Sequence, residues 1–106
     1  MQLNAKHLPI AFAALALLAG AAQASDRFKN SGMKKYLRKN YAGAVVDFNK
    51  HLAASPADAS VILLRGLSKS LLDPEDVVGA CADFAAVEAD LQGMNVETYC
   101  RGQTGW

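Results

Sequence analysis

Apolar positions along this chain fall into two patterns. From Leu8 to Ala22 they run almost without a break and without a charge, whereas from Phe28 onward they recur three or four residues apart, the spacing of one side of a helix. The second pattern predicts four helices and a short fifth. Phe28, Met33, Tyr36 and Leu37 give Asp26 to Lys39 an apolar side. Tyr41, Ala44, Val45, Phe48 and Leu52 form a core stripe on Tyr41 to Ala54, a segment that Asn40 is placed to cap. Ser55-Pro56-Ala57-Asp58 reads as the start of a third helix: a serine cap, a proline at the first helical position and a carboxylate in the first turn. That helix should extend to Leu72, with Val61, Ile62, Leu64 and Leu71 as packing residues. Leu63 and Leu67 carry its apolar surface more than halfway round, which calls for deep burial or for cover by a partner. Asp73-Pro74-Glu75-Asp76 repeats the start signal for a fourth helix from Glu75 to about Leu91, which Gly93 is placed to end. Asn95 to Arg101 completes the series as a short cap.

Within this pattern a hexapeptide is used twice. Gly43-Ala44-Val45-Val46-Asp47-Phe48 returns as Gly79-Ala80-Cys81-Ala82-Asp83-Phe84, and the helix before each copy carries its own glycine, Gly32 and Gly66. Gly32 to Gly66 is a step of 34 residues and Ala44 to Ala80 a step of 36, so two residues are inserted between them. They fall in the turn around Asp73-Pro74, where lengthening is tolerated at little entropic cost. A glycine inside a helix costs about 1 kcal/mol relative to alanine, so its recurrence predicts a close helix crossing. The predicted fold class is therefore all-α: two antiparallel helix-turn-helix hairpins with a short C-terminal capping helix. Repeat one covers about 25–58, repeat two about 59–92, and the cap 93–106.

The uninterrupted apolar run belongs to a different plan. Lys6 precedes it and Ala22-Gln23-Ala24 closes it in the small-x-small pattern that a signal peptidase reads, so residues 1–24 are expected to be a secretory signal peptide cleaved after Ala24. A retained membrane anchor is the alternative, for which the run is short. The expected location is periplasmic or secreted, with no membrane attachment once the signal is removed. Cys81 and Cys100 both lie in the exported part, and an oxidising compartment favours pairing them. The other reading is a small buried Cys81 and a free Cys100 thiol.

Charge is unevenly spread. From Ser25 to Ser55, Arg27, Lys29, Lys34, Lys35, Arg38, Lys39 and Lys50 face only Asp26 and Asp47; after Ser55 the acidic residues dominate. The sides are either ordinary solvated helix faces or surfaces whose opposite signs attract, within the molecule, between copies or toward a charged partner. Nucleic acid is not an expected partner at this overall balance. Catalysis is not expected either. His51 is the only histidine after the signal and is expected at a surface or edge, and no nucleophile elbow, phosphate loop or metal spacing is present. No cofactor and no metal is predicted; the Asp73-Pro74-Glu75-Asp76 carboxylates lack the remaining oxygen ligands of a calcium loop.

The residues resemble the tetratricopeptide repeat family, whose pattern runs aromatic, Leu-Gly, Tyr, Ala-x3-Phe, Pro. Phe28, Gly32, Tyr41, Ala44, Phe48 and Pro56 carry it in repeat one, and Ile62, Gly66, Ala80 and Phe84 in repeat two. Ser31 and Arg65 depart from the usual leucine before glycine, His51 and Val87 from a usual small alanine, and repeat two has no closing proline. The resemblance implies a right-handed stack of hairpins whose first helices line a concave surface that binds a protein or peptide segment. Carried over by position, that surface comprises Lys29, Met33, Tyr36 and Leu37 from repeat one, and Leu63, Leu67, Ser70 and Leu71 from repeat two. Met33 stands where some members place an asparagine to clamp a C-terminal carboxylate, so an apolar or mixed segment is the expected ligand. An exported interaction module is thus the leading expectation. The alternatives are a self-associating structural stack, a homo-oligomer that covers the third helix with another copy, and a small four-helix bundle that binds an apolar ligand.

Overall fold

The computed structural model of the protein describes residues 25–91 and 93–106. The expected signal peptide, residues 1–24, lies outside the described residues. Among the described residues all regular structure is helical: α1 (25–37), α2 (Tyr41–Ala54), α3 (Ala59–Ser70), α4 (Val77–Ala86), a 3-10 turn (Glu88–Asp90) and α5 (Val96–Cys100). None of these helices is long and apolar enough to cross a membrane. α3 packs against both α2 and α4, and α4 against α5, so the elements follow one another in space as they do in sequence.

α1 stops before Lys39 because that residue takes a left-handed conformation, φ 65°. The Lys39 N–H then donates to the Tyr36 carbonyl (3.0 Å) and the Asn40 N–H to the Lys35 carbonyl (2.8 Å), the paired closing bonds of a Schellman ending. Asn40 serves twice, since its side chain also accepts from the Gly43 N–H and opens α2. This double use makes the first hairpin turn tight.

Two helix starts differ from expectation. Ser55 does not cap α3; its N–H is held by the His51 carbonyl (2.9 Å) as the end of α2, so Ser55-Pro56-Ala57 forms a turn and Asp58 becomes the residue before α3. Likewise α4 begins at Val77 rather than Glu75, capped by Asp76, whose carboxylate accepts from Gly79 N–H at 2.9 Å. α3 ends at Ser70, not Leu72, and Leu71 is therefore exposed rather than a packing residue. The fourth helix is also shorter than its pattern, ending at Ala86, and the 3-10 turn carries the chain on to Leu91.

Apolar burial is divided between two clusters. Ala44, Phe48, Leu52 and Val61 form the first, with Tyr36, Ile62 and Leu64 against it. Ala80, Cys81, Phe84, Val87, Leu91 and Cys100 form the second, with Leu63, Leu67, Met94, Val96 and Trp106 around it. The apolar excess of α3 is thereby absorbed inside the chain, because α3 is the one helix with a cluster on each side. Cys81 and Cys100 are joined by a disulfide in the centre of the second cluster, which ties α5 to α4. Tyr99 adds to this tie by packing edge-on to Phe84 and donating to Glu75 at 3.0 Å. Burial, and then the Glu75 hydrogen bond and the charges of Glu75 and Asp76, push the Tyr99 hydroxyl pKa upward, so the donor form is the one kept.

The four matched residues of the repeated hexapeptide have the same place in both hairpins. Gly43 and Gly79 sit at the third helical position, with the capping side chain close against them. Ala44 and Ala80 are fully buried. Phe48 lies on Gly32 and Phe84 on Gly66, so closely that a Cβ on either glycine would stand 2.6 Å or 2.8 Å from a ring carbon. The aspartates make the remaining pair.

Candidate interaction surface

Asp47 and Asp83 are both nearly buried, and each is held from the preceding helix by residues 34 positions apart. Asp47 accepts from Ser31 Oγ at 2.6 Å and pairs with Lys35 Nζ at 2.9 Å. Asp83 accepts from Arg65 Nε and Nη2, at 2.9 and 2.7 Å, and pairs with Lys69 Nζ at 3.2 Å. Ser31 and Arg65, the residues that stand before the repeated glycines, are thus partners of the two buried carboxylates. Burial alone would raise the Asp47 carboxyl pKa, but the hydrogen bonds from Ser31 and Lys35 and the charges of Lys35 and Lys50 outweigh it and hold the group below the usual range. Arg65 also donates to Asn49 at 3.0 Å and so links the two hairpins.

His51 is buried, not at a surface or edge as its place in the sequence suggested. Its Nδ1 faces the Ser25 carbonyl oxygen at 2.8 Å and Ser25 Oγ at 2.7 Å, while its Nε2 faces Asp58 Oδ2 at 2.8 Å. A serine, a histidine and an aspartate are thus in contact, with Ser25 and His51 buried and Asp58 half-buried. The Ser25 carbonyl and the Asp58 carboxylate only accept, whereas the Ser25 hydroxyl can donate or accept. Ser25 itself is 3% exposed and its hydroxyl is turned to the His51 carbonyl at 3.3 Å. Asp58 also receives Lys29 at 3.2 Å and Ser60 at 2.7 Å. Burial raises its carboxyl pKa, but the hydrogen bonds from Ser60, His51 and Lys29 and the Lys29 charge outweigh it and hold the group well below the carboxylate range. The cluster joins the start of α1, the end of α2 and the start of α3.

The eight positions expected to form a binding surface divide into three kinds. Lys29 is occupied by Asp58, and Ser70 Oγ donates to the Leu67 carbonyl at 2.7 Å. Tyr36 packs edge-on to Tyr41 at 5.6 Å and against the first cluster, and Leu63 and Leu67 lie against the second. Met33, Leu37 and Leu71 remain open, with 40%, 78% and 48% of their surface exposed. Leu71 lines a cleft of about 350 Å³ whose other walls are the α1–α2 turn, residues 39–42, and residues 72–73. Leu37 and Leu71 are 34 residues apart, hence repeat equivalents at the end of each hairpin's first helix.

A second concavity, about 410 Å³, lies at the C-terminal end between the 3-10 turn, α5 and Trp106. Leu91, Met94, Val96 and the indole line it, and the Glu88 and Glu97 carboxylates border it. Trp106 is fixed there by an N–H donated to the Cys81 carbonyl at 3.2 Å. Among the described residues no three His, Cys, Asp or Glu side chains come together as a metal-ligand set.

These features define an all-helical pair of repeated hairpins, stapled by one disulfide, with open apolar positions in register. No family model, curated protein or solved structure matches the chain.

Proposed function

We propose that the protein is an exported, tetratricopeptide-like interaction module that acts by binding a protein segment rather than by catalysis. The observation that carries this reading is the pair Leu37 and Leu71, in register and both exposed while the leucines around them are drawn into the core. A side chain that the fold does not bury yet repeats at the same place in each unit has no packing role to explain it. The disulfide supports residence in an oxidising compartment, periplasmic or extracellular. The burial of Ser25 and His51 in their cluster with Asp58 supports a structural rather than chemical use of the single histidine of residues 25–106.

Leu37→Glu and Leu71→Glu test the surface, because both side chains are open and their replacement leaves the clusters intact. A fully buried leucine contributes about 1.5–3 kcal/mol, so each change should weaken capture of a crosslinked envelope partner by about tenfold or more, with the helical circular dichroism unchanged. Capture that persists in both variants would show that the surface lies elsewhere.

A further inference from the structure

The pocket at the C-terminal end has one chemical character and the outer side of α1 has its complement. Leu91, Met94, Val96 and Trp106 line the pocket together with Glu88 and Glu97, neither of which has an ion-pair partner among the described residues. On α1, Leu37 is flanked one turn back by Lys34 and beside it by Arg38, all three exposed. Neither cation has an ion-pair partner among the described residues, although Lys29 and Lys35 of the same helix do. Residues spaced by three and four share a helix face, so one apolar side chain and two positive charges are presented together. The pocket offers the matching set: a space large enough for a leucine, lined by four apolar side chains and two carboxylates.

We propose that this pocket receives the Lys34–Leu37–Arg38 face of α1 from a second copy of the chain. Leu37 enters against Leu91, Met94 and the Trp106 indole, and Lys34 and Arg38 meet Glu88 and Glu97. α1 belongs to the first hairpin and the pocket lies beyond α4, at the other end of the helix series, so the contact is made between copies. Because the two surfaces differ, two copies can engage reciprocally in a two-fold dimer, and a contact made once leaves one of each surface open for further copies. Exposed charge pairs make the association sensitive to salt. The proposal rests on the reading of α1 as an interaction face and names another copy as an occupant for it.

Charge reversal tests this without touching either leucine. Wild-type protein in sedimentation velocity should show a mass that rises from micromolar to millimolar concentration and falls as salt is added. Its Trp106 emission should shift to the blue in parallel, since the chain has one tryptophan. Glu88→Lys with Glu97→Lys, and separately Lys34→Glu with Arg38→Glu, should each weaken association by about tenfold or more, because each brings like charges together. Mixing the two variants should restore association, since opposite charges then face each other at both kinds of contact. A wild-type monomer indifferent to concentration and salt overturns the proposal, as does association that survives either reversal or a mixture that stays monomeric. Loss of partner capture in the leucine variants is a separate readout, so failure here leaves the binding surface of the previous section to stand or fall by itself.

Discussion

Replacing Gly66 by alanine sets two effects of opposite sign against each other. In an isolated helix the change is favourable by about 1 kcal/mol, because alanine loses less backbone freedom on folding. In this fold the new Cβ would stand 2.8 Å from Phe84 Cε1 and 3.1 Å from both Phe84 Cδ1 and Asp83 Cβ. Carbon atoms rest at about 3.5–4.0 Å, so the ring or the helix must move by several tenths of an ångström. Neither is free to do so. Phe84 is 2% exposed within the disulfide-bearing cluster, and Asp83 is gripped by both Arg65 nitrogens. Overpacking of this kind costs about 1–3 kcal/mol, which exceeds the helical gain and leaves a net loss of about 1 kcal/mol. Gly32→Ala, facing Phe48 at 2.6 and 2.7 Å, should lose at least as much. Urea unfolding followed by circular dichroism should show a lower midpoint for Gly66→Ala at an unchanged slope. A Phe84→Leu change, which shortens the obstructing side chain, should cost about 1 kcal/mol less in the alanine background than in the wild type, a coupling that a double-mutant cycle reads directly. A midpoint that rises on Gly66→Ala, or a cycle with no coupling, would refute the close crossing as the reason for the repeated glycine.

The carboxylates predict the response to acid. Asp47 and Asp58 have folded-state pKa values below their unfolded ones, so their contribution is complete above the unfolded aspartate value of about 3.9 and is lost as pH falls below it through the native values. Urea midpoints should therefore fall steadily below about pH 4, and Asp47→Asn and Asp58→Asn should each flatten that fall; identical profiles in the wild type and both variants would contradict the assignment. Removing the disulfide by Cys81→Ala with Cys100→Ala opens a link between positions 19 apart and should cost about 3 kcal/mol by the chain-entropy relation. Trp106 emission should shift to the red in that variant, because the indole packs against the cluster that the disulfide holds together; an unchanged midpoint and spectrum would deny the staple its role.

Periodicity and composition alone determined the helices, their order and their pairing into two hairpins, because a stripe of apolar residues at helical spacing has few ways to be buried. The disulfide was legible too, since the chain has two cysteines and both follow the expected leader. Helix starts were misread where the side chain of the expected cap is used elsewhere: the Ser55 hydroxyl meets Ser25 Oγ, and a turn over Pro56-Ala57 delays α3 until after Asp58. The surface was half legible. Its positions recur at the repeat step, but which of them stay open depends on where neighbouring helices fall, and only packing assigned Leu63 and Leu67 to the core and Leu37 and Leu71 to solvent. The buried carboxylates left a signal, for Lys35 and Lys69 recur 34 apart just as Asp47 and Asp83 recur with the hexapeptide. The Ser25–His51–Asp58 cluster left none. Its members come from three separate elements and repeat nowhere, so their meeting is a consequence of how α1, α2 and α3 converge, which local spacing does not encode.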